Sequence, residues 1–472
     1  MRVIKNYLYN AFYQIFILLV PLVTTPYLAR VLGPKGVGIN AYTNSIIQYF
    51  ILFGSIGVNL YGNRQIAYVR NNRKKMTQTF YEIFFMRIIT ITLAYAAFLI
   101  FLKFTKQYQT YYLAQSVSII AAAFDISWFF MGVENFAVTV VRNFVIKILT
   151  LICIFAFVKS YSDLFLYILI LSLSLLLGNL TLFPSLHRYI GKPSFSKLNI
   201  FRHFMPSLVL FVPQIATQIY LVLNKTMLGK MVSVQAAGYF DQSDKMVKMV
   251  LAVVTATGTV MLPHVANAFA RGEHEKTKNY LYESFSFVTA MSVPMTFGLI
   301  GIAHTFVPLF FTNKFLEITP IMMIESLVIL LIAWSNAIGT QYLLPTNQNK
   351  AFSTSVILGA VINLLANIPL IMMWGVIGSA IATVLSEFSV TLYQLIAIRK
   401  QINYKKLFSE IWKYILAGLI MFVEVIYLNY KLPSTWLMLI IEVVIGMIVY
   451  LLLLFVFKVK LIGKAKELLS KD

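Results

Sequence analysis

Long apolar runs recur from one end of this 472-residue sequence to the other. An α-helix needs about 20 apolar residues to cross the hydrocarbon core of a bilayer, and the runs have this length. Inside that core no water pairs with backbone N–H and C=O groups, so each run must form a helix that satisfies its own hydrogen bonds. The runs therefore predict an all-α integral membrane protein.

The composition supports the same class. Hydrophobic residues make up 59% of the chain and charged residues only 12%. Soluble domains carry roughly a quarter charged residues, so this chain could not cover its apolar surface in water. We predict about fourteen spans, near residues 8–32, 37–62, 80–102, 110–132, 140–158, 163–184, 204–228, 234–262, 280–304, 318–343, 351–373, 375–397, 411–429 and 435–457.

The cations predict the orientation of these spans. Lys and Arg show a roughly threefold excess in alternate short loops, which marks those loops as cytoplasmic and places both termini inside. The net charge of +22 follows from these loops, so we expect no nucleic-acid partner. The single cysteine, Cys153, lies in an apolar run and is expected to pack there.

A weak internal repeat predicts the domain organisation. A cationic span end and a Leu-Gly break follow a proline-containing span twice, at residues 21–38 and again at residues 206–240. Interrupted helices at corresponding places in two halves point to the binding region of a transporter. We therefore predict two pseudo-symmetric six-helix lobes around a central cavity, residues 1–190 and 191–400. Residues 401–472 add two helices and a basic cytoplasmic tail.

Cations inside or near the spans are candidates to bind an anionic substrate, because a buried charge in a membrane protein usually faces a wet cavity or a partner. They are Arg30, Arg87, Arg142, Lys147, Lys225, Lys245 and Lys248. Arg142 and Lys147 are also close enough to a span start to extend their charges to the interface.

Acids inside the spans are candidates for coupling transport to H⁺ or Na⁺. They are Asp125, Asp241, Asp244, Glu325 and Glu387. Asp241 and Asp244 each precede a lysine by four residues, the favourable helical spacing for an ion pair, so self-neutralisation competes with a role in transport. Asp125 has no cation within one helical turn; the alternative to a coupling site is a pair with Arg87 or Arg142.

Several chemistries find no support in the sequence. The five histidines lack metal-binding spacing, and the phosphate-binding motif of ATPases and the nucleophile elbow of hydrolases are absent. We therefore expect a transporter that needs no metal or cofactor, rather than an enzyme.

Three stretches resemble the polysaccharide repeat-unit flippases of the multidrug/oligosaccharidyl-lipid/polysaccharide exporter superfamily. The most specific is PLVTTPYLARVLGPKGVG at 21–38, continued by Gly57 and by YGNRQIA at 61–67. The others are NKTMLG at 224–229, with Gly238-Tyr239 and Leu262-Pro263, and a looser match from Asn363 to Asn367 and then GVIGSAIAT at 375–383.

The resemblance implies a V-shaped pair of six-helix bundles with a cationic cavity, and a substrate of undecaprenyl pyrophosphate bearing a short oligosaccharide. It places Arg30, Arg64 and Lys225 on family motif positions. Where the family motif usually reads Asp-Lys, this chain has Asn224-Lys225, which removes an acid beside the cation.

The resemblance also implies a place in the cell. We expect alternating access in a bacterial plasma membrane, with membrane lipids, a polymerase and glycosyltransferases of the same pathway as partners. A lipid II flippase or a multidrug/cation antiporter of the same superfamily is the nearest alternative. A membrane glycan polymerase would need an acidic metal site or a large outer loop, and the sequence shows neither.

Overall fold

The structure is a computed structural model that describes residues 2–461 and Gly463. In these residues it is all helical and contains no strand. The helices of the first half are α1 (Arg2–Ser55), α2 (Val58–Val69), α3 (Arg73–Phe104), α4 (Gln109–Ala123), α5 (Ser127–Gly132), α6 (Phe136–Phe157), α7 (Leu164–Leu180), α8 (Phe183–Leu186) and α9 (Phe204–Met231).

The second half continues with long helices and one stretch of π-helix. They are α10 (Val234–Ala270), α11 (His274–Phe310), α12 (Ile318–Glu325), α13 (Leu327–Ser335), the π-helix Asn336–Leu343, α14 (Asn349–Ile398), α15 (Tyr404–Leu407), α16 (Ile411–Lys431) and α17 (Trp436–Val456). The predicted basic tail beyond Gly463 lies outside the described residues.

Polar side chains at the loop ends fix where several spans begin. Asn72 Oδ1 accepts a hydrogen bond from Lys75 N at the start of α3, and Ser233 Oγ accepts one from Ala236 N at the start of α10. Thr435 Oγ1 accepts a hydrogen bond from Met438 N at the start of α17. These caps satisfy N–H groups that a helix start leaves without an intrahelical partner.

Two of the long helices contain a glycine that interrupts them. Gly33 has φ 63° and ψ 179° inside α1, and Gly375 has φ 56° and ψ −125° inside α14. Ten segments of the described chain are long and apolar enough to cross a membrane, and α10 forms an eleventh as a bent pair. Division of α1 and α14 at these glycines turns each of them into two spans, and α9 adds one more. The eleven segments thus become fourteen membrane helices, and the predicted all-α membrane fold is confirmed.

The second glycine turns α14 into a helical hairpin. Ser379 Oγ donates to Asn367 Oδ1 at 2.9 Å, and Ser386 Oγ donates to the carbonyl of Gly359 at 2.7 Å. Gln394 Nε2 donates to Ser355 Oγ at 3.0 Å. The sequence separation between the partners grows with their distance from Gly375, as it must when two antiparallel helices meet at a turn.

The chain forms two compact units, Met1–Gly229 and Lys230–Asp472. In the first, α9 packs with the preceding helices: Ser207 Oγ donates to the carbonyl of Ile56 at 2.5 Å, and the hydroxyls of Thr226 and Ser45 are 2.9 Å apart. The lobe boundaries at 190 and 400 were drawn from the sequence repeat, and they stay a prediction about symmetry. The side chain of Pro213, which belongs to that repeat, lies outside the described residues.

In the second unit the last two helices pack on α11. Tyr414 of α16 hydrogen-bonds Ser286 at 2.7 Å, and Tyr450 OH of α17 donates to the carbonyl of Ala290 at 3.0 Å. Asn429 accepts a hydrogen bond from Thr305 and donates one to Glu442, each at 2.9 Å. The two added helices are therefore integral to the second unit.

Candidate functional site

A buried arginine joins three helices of the first unit. Arg87 of α3 is only 2% exposed, and its Nη1 donates to Asn59 Oδ1 of α2 at 2.6 Å. Its Nη2 lies 3.6 Å from Asp125 Oδ2, beyond the end of α4. Taking a guanidinium out of water is costly, so this arginine depends on the carboxylate and the amide that face it.

Asp125 lies where a membrane span is broken. α4 ends at Ala123 and α5 begins at Ser127, and Asp125 Oδ1 accepts a hydrogen bond from Ser127 N at 3.0 Å. Its side chain is 21% exposed. Of the alternatives raised by the sequence, the structure contains the pair with Arg87. Broken helices form ion and substrate sites in many transporters, so the pair lies at a suitable place for such a role.

The other candidate cations of the first unit do not gather around this pair. Arg142 Nη1 donates to Asn179 Oδ1 at 2.8 Å, linking α6 to α7. Arg30 is exposed and donates to the carbonyl of Pro26 in its own helix. Arg64 is exposed, with its guanidinium 6.0 Å from the centre of the Tyr61 ring. Lys147 is exposed on α6, and Lys225 is partly buried on α9.

In the second unit the charged candidates of α10 form two ion pairs. Lys245 Nζ lies 2.5 Å from Asp241 Oδ2, and Lys248 Nζ lies 2.8 Å from Asp244 Oδ2. The side chains of the acids are 7% and 15% exposed, whereas those of the lysines are 45% and 43% exposed. The carboxylates thus face the protein, and the lysines reach outward to neutralise them.

The two other candidate acids of the second unit are buried. Glu325, at the end of α12, accepts a hydrogen bond from Ser243 Oγ of α10. Glu387 is buried on the second arm of the α14 hairpin. Ser243 lies between Asp241 and Asp244 in the sequence, and through it this polar stretch contacts α12.

A second buried charge cluster, centred on Glu82 of α3, was missed by sequence reasoning. The Glu82 side chain is 0% exposed; its Oε2 lies 2.5 Å from Arg202 Nη2 and 2.9 Å from His203 Nε2. Its Oε1 accepts hydrogen bonds from Asn199 N and Gln78 Nε2 at 2.7 and 3.0 Å. The carboxylate therefore ties the connection before α9 to α3.

His203 extends this cluster to α2. Its Nδ1 lies 2.7 Å from the hydroxyl of Tyr61. Burial lowers the pKa of His203, while the hydrogen bond with Glu82 acts in the opposite direction. The one available sequence signal was that Glu82 falls inside the predicted span 80–102; Asn199, Arg202 and His203 are more than a hundred residues away from it.

A further polar site lies on the π-helix Asn336–Leu343, which the sequence gave no reason to expect. Gln341 is buried there; its Oε1 accepts a hydrogen bond from Ser284 Oγ of α11, and its Nε2 donates to Asn336 Oδ1 at 3.0 Å. Short π-helical segments inside α-helices are often found at functional sites. Among the described residues, no group of three or more His, Cys, Asp or Glu side chains is arranged to hold a metal ion.

Comparison with known proteins gives relatives along most of the chain. It is 25% identical over 406 residues to an Escherichia coli K12 protein described as an O-antigen transporter, covering 84% of this chain and 96% of that one. The corresponding Shigella dysenteriae protein is 20% identical over 385 residues, covering 81% of this chain and 96% of its own length.

A solved structure has the same fold. The lipid II flippase MurJ in an inward closed conformation superposes with a TM-score of 0.75 at 20% identity, over 97% of this chain and 100% of that one. A family model described as polysaccharide biosynthesis protein matches residues 3–269. That match covers more than half of the sequence, and the chain belongs to the polysaccharide biosynthesis protein family.

Proposed function

We propose that this chain is a flippase that moves undecaprenyl-pyrophosphate-linked oligosaccharide repeat units from the cytoplasmic to the outer leaflet of a bacterial plasma membrane. The observation that carries the proposal is the similarity to proteins described as O-antigen transporters over 96% of their length. In this proposal the protein is not an enzyme, and it delivers the repeat units to a polymerase that assembles a cell-surface polysaccharide.

The charge of such a substrate explains why a protein is needed. A pyrophosphate and a sugar chain both lose strong hydration when they enter hydrocarbon. Fixed cations and polar groups replace that hydration, while the polyprenyl chain can remain in lipid. An arginine fits this task because its guanidinium stays charged and binds phosphate oxygens through two parallel hydrogen bonds.

The Arg87–Asp125 pair supports a mechanism of ion coupling. While Asp125 is ionised, it competes with any anionic ligand for the guanidinium of Arg87. Protonation of Asp125, or binding of Na⁺ to it, removes that competition; Arg87 is only 2% exposed, so in this proposal a phosphate reaches it after the helices around the pair move. Because Asp125 is bonded to the first residue of α5, the same event loosens the break between α4 and α5. In this proposal an ion gradient drives exchange between inward- and outward-open states.

The first experiment follows the substrate between leaflets. Cells depleted of the protein should accumulate labelled lipid-linked oligosaccharide in the cytoplasmic leaflet, and wild-type protein should restore its export. Arg30→Gln and Lys225→Gln should restore export poorly, whereas Lys103→Gln, an exposed cation near the end of α3, should restore it fully. Export that continues without the protein, with polymerisation lost, would instead favour the polymerase alternative.

A second experiment tests the substrate and the coupling in proteoliposomes. Purified protein should translocate the oligosaccharide-linked lipid, and collapse of an imposed proton or sodium gradient should slow it. Asp125→Asn should translocate at a rate that no longer responds to either gradient. Efficient translocation of lipid II in place of the repeat unit would reassign the protein as a lipid II flippase.

A further inference from the structure

A large apolar cavity lies on the second unit, away from the buried charges described above. It has a volume of about 690 Å³ and opens between α11 and the start of α16. Its apolar wall includes Met261, Phe287, Leu407, Ile411 and Leu461. A space of this size with an apolar wall can accept a hydrocarbon chain, and burying that chain is favourable in proportion to the area removed from water.

A basic shelf adjoins this cavity. It encloses about 890 Å³ around residues 399–406 and the first turn of α11. Its cations are Lys278, Arg399, Lys400, Lys405 and Lys406, and its one acid is Glu275. Glu275 is already paired with Lys278 at 2.7 Å, so the remaining four cations face the shelf without an opposing carboxylate on it.

The acids that line the apolar cavity do not cancel this charge. Glu410 accepts hydrogen bonds from Lys413 Nζ at 2.9 Å and from Lys460 N at 2.8 Å. Its charge is therefore compensated by Lys413 within the protein. Glu283 is the other acid of the cavity, whose lining also includes the cations Lys406 and Lys460. The combined surface keeps an excess of positive charge.

Lys406 and Tyr282 belong to both spaces and join them. Lys406 Nζ lies 4.8 Å from the centre of the Tyr282 ring and donates to Asn279 Oδ1 at 2.8 Å. Tyr282 OH in turn accepts a hydrogen bond from Asn403 N at 2.9 Å. The ammonium group is thus held at the boundary between the basic shelf and the apolar cavity, where the head of an amphipathic anion would meet its chain.

We propose that this paired site binds an anionic phospholipid of the surrounding bilayer, with its phosphate on the basic shelf at Lys406 and an acyl chain in the apolar cavity. The loops that form the shelf lie on the side that the distribution of Lys and Arg predicts to be cytoplasmic, where anionic lipids attract basic clusters. Such a lipid would bridge α11 and α16 and stabilise their packing. The inference is independent of the transported substrate.

Native mass spectrometry of the full-length protein in detergent tests the proposal. Phosphatidylglycerol should bind at least tenfold more tightly than phosphatidylcholine with the same acyl chains. The double variant Lys400→Gln/Lys406→Gln removes two of the shelf cations and should abolish that preference. Lys350→Gln removes an exposed lysine that lines neither space, and it should keep the preference. Equal binding of the two lipids by the wild type would overturn the proposal.

A second variant tests the chain-binding half. Ser409 lies in the cavity wall and is exposed, so Ser409→Trp should fill the space and weaken phosphatidylglycerol binding about tenfold. The melting temperature without added lipid should stay at the wild-type value in each variant. Displacement of phosphatidylglycerol by millimolar inorganic phosphate would identify a site for free anions. Displacement by equimolar undecaprenyl phosphate would assign the site to polyprenyl lipids, the class to which the proposed substrate belongs. Either result would contradict the proposal.

Discussion

At the scale of single residues, Glu82 and Glu134 allow a direct comparison of buried and exposed ion pairs. Both pair with an arginine at 2.5 Å, but the Glu82 side chain is 0% exposed and that of Glu134 is 66% exposed. Glu82→Ala removes the acceptor of the Asn199 N–H and of His203 and costs about 1–3 kcal/mol, although Arg202, 46% exposed, can be hydrated. An exposed pair contributes about 1 kcal/mol or less.

We therefore expect Glu82→Ala to lower the melting temperature strongly and Glu134→Ala to change it little. Thermal unfolding of the purified protein in detergent measures both. Glu82→Gln should be intermediate, because an amide oxygen can still accept from Asn199 N but cannot neutralise Arg202. Equal effects of the two alanine substitutions would show that the Glu82 cluster does not stabilise the connection before α9.

The Arg87–Asp125 pair predicts non-additive mutants. Asp125→Asn should be the more harmful single change, because it leaves Arg87, only 2% exposed, without a counter-charge. Replacing both as Arg87→Met/Asp125→Asn should recover part of the loss, with an interaction free energy of about 0.5–3 kcal/mol. A double-mutant cycle of chemical or thermal unfolding gives this quantity. Additive effects would mean that the two side chains do not interact.

Sequence spacing revealed only the local charge pairs. Asp241 and Lys245 lie four positions apart on a helix, and that spacing raised an ion pair as one of two alternatives, which the structure contains. Glu82 and His203 are separated by 121 positions, so only the packing of α3 against the residues before α9 brings them together. For the same reason the sequence left two alternatives for Asp125, a coupling site or an ion pair, because its partner belongs to another helix.

At the scale of helices, the spans followed from hydropathy because lipid allows no other backbone structure. The interruptions within the spans were harder to predict from the sequence. The break at Leu32-Gly33 was predicted from its glycine, and the boundary near Gly375 from the length of the apolar run. The break between α4 and α5 contains no glycine, and Gly339 inside the π-helix at 336–343 lies in an apolar run that gave no sign of an interruption. Contacts with distant residues accompany both: the Arg87–Asp125 ion pair at the break, and the hydrogen bond between Ser284 and Gln341 at the π-helix.

Gly375 makes the hairpin of α14 testable. Its φ of 56° with ψ of −125° is a conformation that residues with a Cβ rarely adopt, so Gly375→Ala should destabilise the protein by about 1–3 kcal/mol. Gly191 is exposed, and a Cβ there would meet nothing within 4 Å, so Gly191→Ala is the matched control. Melting temperatures in detergent compare the two. A neutral Gly375→Ala would argue against a tight turn at this residue.

At the scale of the whole molecule, α14 decides the topology. Its 50 residues would measure about 75 Å as one straight helix, more than twice the hydrocarbon thickness of about 30 Å. The hydrogen bonds between its arms fold it back on itself, which makes it two spans. An even number of spans then returns residue 399 to the side on which residue 349 lies.

This arrangement predicts which face each of three engineered cysteines occupies. The chain has one natural cysteine, so Cys153→Ser gives a background without thiols. Lys350→Cys and Ser409→Cys flank the α14 hairpin and should react with a membrane-impermeant maleimide only after the cells are permeabilised. Ser434→Cys, in the connection between α16 and α17, should react in intact cells. If α14 crossed the membrane once, Lys350→Cys and Ser409→Cys would be labelled from opposite sides. That result would contradict the hairpin and the cytoplasmic placement of the basic loops together.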